Sequence, residues 1–231
     1  MLQAEIDEER LIPARDALTI ARIVRVNHAG EFGAIRIYSA QVLVSGWLWP
    51  DCVPALTEML EDERRHCVLF RDAMPARKSR PCRVMQLWSW GGWTLGFLTA
   101  LLGRQAIWAC TAAVEAAVHR HLDDQLHFLK GRDPEMSGII LSIRDEKIAR
   151  LRHAEERLVS RSIAFRALKA AISLATDCLI WLSTWGDSTR TARALKADRR
   201  GGASVNRGWA VAGWSNRLRA LKSRLRCNTL I

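Results

Sequence analysis

Glu63 and His66 lie three residues apart within Leu56-Thr57-Glu58-Met59-Leu60-Glu61-Asp62-Glu63-Arg64-Arg65-His66-Cys67-Val68-Leu69-Phe70. Leu56, Leu60, Glu63, Cys67, Phe70 and Met74 alternate by threes and fours, which makes one stripe on a helix. His66 leans to the same face as Glu63. A carboxylate on an apolar stripe must be paired, protonated or bound to a metal, because burying it alone is costly. Glu-x-x-His on an inward helix face is half of the ligand set of a four-helix two-metal site.

Three more segments of helical period each place a glutamate on the apolar stripe. Glu31 falls in Ile20, Val24, Asn27, Glu31, Tyr38 and Val42; Glu115 in Thr111, Glu115, Val118, Leu122, Leu126 and Leu129; Glu146 in Ile139, Ile143, Glu146, Arg150 and His153. Taken singly, each fits a rim carboxylate that reaches water. Taken together, four inward carboxylates and a histidine suit iron or manganese, and two such ions need about four carboxylates to bridge and neutralise them. The expected architecture is all-α: a ferritin-like four-helix bundle with additional hydrophobic, membrane-interfacial helices.

The elements that position these residues follow in order. The first helix ends near Gly46, with Pro50 disfavouring helix before it. Asp51 is a cap candidate for the second helix, which runs to about Met74. Val84 to Gly103 is uncharged and carries three Trp, the Gly91-Gly92 pair and Gly96. That composition points to a broken or re-entrant segment lying on a membrane, with buried core and true spanning as alternatives. A third helix covers about Gln105 to Lys130 and stops at Gly131. Asp133-Pro134 opens the fourth, and an apolar helix spans about 163 to 185. The resulting division is an acidic segment 1–16, a bundle 17–186 with interfacial segments 84–103 and 163–185, and a basic tail 187–231.

Hydrophobic residues make up 49% and charged residues 26% of 231, which excludes a disordered chain. Of the net +11, the stretch from Asp187 onward supplies +9, so the high pI describes the tail and not the fold. Leu218, Leu221 and Leu225 give that tail a basic amphipathic element suited to anionic lipid, with a solvated tail as the alternative; no nucleic-acid partner is expected. Six cysteines without a C-x-x-C pair read as reduced thiols. The charged start, Met1 to Arg10, predicts neither a secretory signal nor a transit peptide. The expected location is the cytoplasmic side of a bacterial cell membrane, peripherally attached.

Arg25-Val26-Asn27-His28-Ala29-Gly30-Glu31-Phe32-Gly33-Ala34, followed by Ile37-Tyr38, resembles the R-V-[DN]-H-A-G-E-x-G-A signature of the demethoxyubiquinone hydroxylase family. Thr99 to Gly103, Ala109 to Glu115, and Ile143-Arg144-Asp145-Glu146 resemble further segments of it, over about Ala21 to Trp185. The resemblance implies a membrane-attached di-iron monooxygenase of ubiquinone biosynthesis that hydroxylates a demethoxyubiquinol with O2. It also implies two iron ions, a reduced nicotinamide nucleotide (NADH) as electron donor, and a polyprenyl quinone and membrane lipid as partners. Assembly as a homo-oligomer or within a ubiquinone-biosynthesis complex is left open. Glu31, Glu63, His66 and Glu115 become iron ligands by this resemblance, and Glu146 the glutamate of the fourth helix. His28 and Tyr38 become supporting or substrate-side residues.

The fourth helix departs from the family's Glu-x-x-His. With Glu146 as its glutamate, the histidine position is Ala149; read one residue later, the two positions are Lys147 and Arg150. The stripe favours Glu146 as the inward residue, with a salt bridge to it as the reading for Arg150. His119, His153 or water would then complete the site. The alternative function is a metal-deficient quinone- or lipid-binding relative without catalysis, or a helical protein whose carboxylates are ion-paired.

Overall fold

The computed structural model describes residues 12–159 and 162–205, with side chains to residue 197. The described residues are all-α, with no strand among them. Seven α-helices occur among them: α1 Ala14–Leu48, α2 Val53–Asp72, α3 Met85–Leu101, α4 Arg104–Leu129, α5 Pro134–Glu156, α6 Ile163–Thr184 and α7 Asp187–Val205. A compact unit ends at Ala192. From Arg193 the chain belongs to a second unit, of which α7 supplies the described part. The tail expected from Asp187 onward is therefore helical to Val205; the basic amphipathic element around 217–226 lies outside the described residues, as does the acidic segment 1–11.

Helices α1, α2, α4 and α5 form a bundle, and α3 and α6 cover one side of it. α1 packs on α2 and α3, while α4 packs on α5 and α6. Two apolar layers fill the bundle. One holds Val24, Phe70, Leu122, Phe128, Met136, Ile140 and Ile143; the other holds Tyr38, Leu56, Met59, Leu60, Ile107, Trp108 and Ala154. Each fully buried side chain of this size adds roughly 1.5–3 kcal/mol to folding. Between the two layers, in every one of the four helices, lies the turn that carries the candidate site residues.

The segment from Val84 to Gly103 is not broken: it forms the continuous helix α3 and ends at Gly103, whose φ is +100°. Its glycines are contact points. A Cβ on Gly92 would meet the Gly33 carbonyl oxygen at 2.5 Å, and one on Gly96 the Ile37 oxygen at 2.2 Å. Glycine is thus what lets α3 lie backbone to backbone on α1. No helix among the described residues is long and apolar enough to cross a membrane.

Two helix starts test the capping expectations. Asp133 caps α5, accepting a hydrogen bond from the Met136 N–H at 2.9 Å with Pro134 in the first turn. Arg77 holds that carboxylate with two bonds of 2.6 and 2.8 Å. Asp51 caps nothing; it binds the Arg104 guanidinium at 2.6 and 2.7 Å, and α2 starts from Cys52 without a side-chain cap.

Candidate metal centre

Glu31 on α1, Glu63 and His66 on α2, and Glu115 on α4 are all buried and converge between the two apolar layers. Glu31, Glu63 and His66 each offer a ligand atom within 4.8 Å of the others, a group of the right type and spacing for one metal ion.

α5 turns a different face inward from the expected one. Its buried residues are Met136, Ile140, Ile143, Lys147, Arg150 and Ala154. Glu146 lies at the rim with a 41% exposed side chain; it accepts from Arg65 and meets His66 Nε2 at 3.0 Å. The stripe was misplaced because Ile143 and Arg150 belong to both faces, so the choice fell on which neighbour points inward. The inward one is Lys147. Its Nζ donates to Glu31 Oε2 at 3.0 Å and to Glu63 Oε1 and Oε2 at 3.2 and 3.3 Å, and lies 3.9 Å from Glu115 Oε2. Arg150 binds Glu63 Oε1 through one Nη and brings its Nε to 3.6 Å from Glu115 Oε1; it does not pair with Glu146. Tyr38 donates its hydroxyl to Glu115 Oε1 at 3.4 Å.

The remaining histidines do not complete a ligand set. His119 faces Asp123 at 3.6 Å, and His153 packs edge-on against Trp108 and meets Arg157. His28 is buried, and its ring makes no hydrogen bond to the centre.

Electrostatics follow from the count: three buried carboxylates against one ammonium and one guanidinium. Burial pushes the Glu31 carboxyl up, but Lys147 and His66 outweigh it and hold it below the usual range. Burial and the neighbouring Glu31 charge raise Glu63. The two glutamates are thus shifted in opposite directions. Burial opposes the charge on Lys147 and on Arg150, yet the surrounding carboxylates raise both above their usual values. Both cations are therefore fixed.

A two-metal centre does not fit this donor set. The two α5 positions that face the carboxylates carry cations, which have no lone pair to give and repel metal ions. Even the Glu31–Glu63–His66 group has an ammonium within 3.2 Å of two of its oxygens.

Beside the centre lies a cavity of about 350 Å³ between α1, α3, α4 and α6. Ala34, Ile37, Trp88, Leu95, Leu168 and Ile172 are among its apolar walls, and Glu31, Glu115 and Lys147 also line it. Asn27 and Gln125 on its wall are joined by a hydrogen bond of 2.8 Å. Among the described residues, Glu115 Oε2 accepts no hydrogen bond.

The fold and site define an all-α bundle with a buried carboxylate centre opening on an apolar cavity. The family described as "Ubiquinone biosynthesis protein COQ7" matches residues 18–183, and the chain belongs to that family. Among its relatives, the mouse "NADPH-dependent 3-demethoxyubiquinone 3-hydroxylase, mitochondrial" is 35% identical over 168 residues, 71% of this chain and 76% of that protein. The "3-demethoxyubiquinol 3-hydroxylase" of Rhodospirillum rubrum is 35% identical over 167 residues, 72% and 78% of the two chains. The Dictyostelium discoideum protein of the mouse protein's name is 32% identical over 184 residues, 78% and 82%.

Proposed function

We propose that this chain works in ubiquinone biosynthesis at the 3-hydroxylation of a demethoxyubiquinol, the step for which its relatives are named, within a ferritin-like bundle. The observation that carries the reading is the cavity, whose 350 Å³ suits a substituted quinone ring and which joins apolar walls to the carboxylate centre. Glu115 Oε2 is placed to accept from a ring hydroxyl and Lys147 Nζ to donate to a ring oxygen. The co-substrates of this reading are O2 and a reduced nicotinamide nucleotide.

Exposed apolar side chains support a peripheral place on a membrane, for which this reading takes the cytoplasmic face of a bacterial cell. Leu87, Trp90, Leu98 and Leu101 on α3, with Leu174, Trp181 and Trp185 at α6, are the kind of surface that beds into a lipid interface. A polyprenyl tail would then enter between α3 and α6.

One observation favours a second reading. Lys147 and Arg150 stand where the fourth helix would offer ligands, which suits a quinone binder in the same biosynthesis that does not hydroxylate. The experiment is to give the purified chain a short-tailed demethoxyubiquinol, NADH and O2, and to follow ring oxygenation by mass and ring binding by the part of the tryptophan quenching that is lost in Trp88→Phe. Product supports hydroxylation, quenching without product supports the binder, and neither overturns both.

A further inference from the structure

We infer that Lys147 and Arg150 are built-in replacements for metal ions, so that the carboxylate centre of this chain is complete and closed to iron. Two observations meet here. Three acids from α1, α2 and α4 point into one apolar-walled layer, an arrangement that cannot persist without positive charge among them. The positive charge is supplied by α5 itself, one turn apart, at the two inward positions of the only bundle helix without an inward acid.

The contacts show replacement in position as well as in charge. Lys147 Nζ reaches all three carboxylates, at 3.0 Å from Glu31, 3.2 Å from Glu63 and 3.9 Å from Glu115. Arg150 spans the second pair, bonded to Glu63 and 3.6 Å from Glu115. Each cation thus bridges carboxylates from different helices, which is what a metal ion does in such a bundle. Any ion entering between Glu31 and Glu63 must first expel an ammonium bonded to both. Both cations are buried side chains, flanked on α5 by the buried Ile143 and Ala154.

This inference goes with the second reading above, a quinone binder that does not hydroxylate; it rests on the family reading for where ions would lie, and on nothing about what fills the cavity. It is tested on the full chain, purified without oxygen and incubated with ferrous iron, beside two variants. Wild type is expected to hold no stoichiometric iron and to melt at the same temperature with and without a chelator. Lys147→Glu combined with Arg150→His returns a carboxylate and an imidazole to the same two positions; this variant is expected to take up two irons per chain and to melt higher with iron than without. Lys147→Met removes a cation and supplies no ligand, and is expected to lower the melting temperature by about 10 °C.

Wild type that holds one or more irons per chain, released by chelator with a fall in melting temperature, overturns the inference. So does a folded double variant that takes up no iron. Should the double variant not fold, wild-type iron content and the Lys147→Met melt still decide. Tryptophan quenching by a short-tailed demethoxyubiquinol, compared between wild type and Trp88→Phe, reports separately on the substrate assignment.

Discussion

Two of the clusters among the described residues in which acids from distant parts of the chain meet arginine or lysine differ in where the cations stand. At the end of the bundle, Asp16 and Asp187 gather four arginines. Arg132 and Arg190 bind Asp16 at 2.9 and 2.7 Å, while Arg22 at 2.9 Å and Arg15 bind Asp187. Those acids are largely covered, but the arginine side chains are partly or half exposed and can rehydrate if a partner is lost. In the centre, acids and cations alike are out of water. The end cluster is a clasp between α1 and the start of α7. The central cluster is an obligatory set, in which no member can be removed without stranding another.

That contrast can be broken most severely at Lys147. Lys147→Met strands three carboxylates and is expected to cost about 3–5 kcal/mol in urea unfolding; a loss below about 1 kcal/mol would mean the centre relaxes as the clasp does. Adding Glu63→Gln to Lys147→Met leaves two carboxylates facing Arg150 where there were three, and should recover about 2 kcal/mol of that loss, measured as the coupling in a double-mutant cycle. No such recovery would show that the two groups act independently.

The clasp gives smaller effects. Asp187→Ala removes the acceptor for Arg15, Arg22 and Thr19, and about 1–2 kcal/mol is expected because the freed arginines return to water. Arg15→Ala, at the exposed end of the same pair, should cost less than about 1 kcal/mol and less still in high salt. A pH series sharpens the same point. Burial raises the Asp16 carboxyl, but Arg132 and Arg190 outweigh it and hold it below the usual carboxylate value. A depressed folded value means that its contribution is present above the unfolded pKa, near 4, and is lost as pH falls through the folded one. Asp16→Asn should therefore flatten the fall in melting temperature between about pH 5 and pH 2.

Much of the centre was legible because the period of the sequence carries it. Glu31, Glu63, His66 and Glu115 sit on apolar stripes of three helices, and the structure brings them together. The fourth helix was misread by one residue. Ile139 and Ile140 are adjacent and both apolar, so Met136-Ile140-Ile143-Lys147-Arg150-Ala154 and Ile139-Ile143-Glu146-Arg150-His153 were both available as faces. The stripe through Ile139, Ile143, Arg150 and His153 is what favours Glu146 in the sequence. The signal that could have found Lys147 was the excess of inward acid: without metal, those glutamates require buried cations, and α5 is the helix that has two of them a turn apart. The α3 glycines were misread for a related reason. Gly91-Gly92 and Gly96 look like breaks by propensity, whereas Gly92 and Gly96 are where tertiary contact with α1 needs no side chain at all.

The central claim is that α5 turns Lys147 and Arg150, rather than ligands, into the carboxylate layer. The measurement that tests it most directly is anomalous diffraction at the iron edge from crystals grown anaerobically with ferrous iron. The expected result is no peak within the layer, with Lys147 Nζ bonded to Glu31 and Glu63 as it is here. A strong peak between Glu31, Glu63 and His66, with the lysine side chain turned away, would contradict the account.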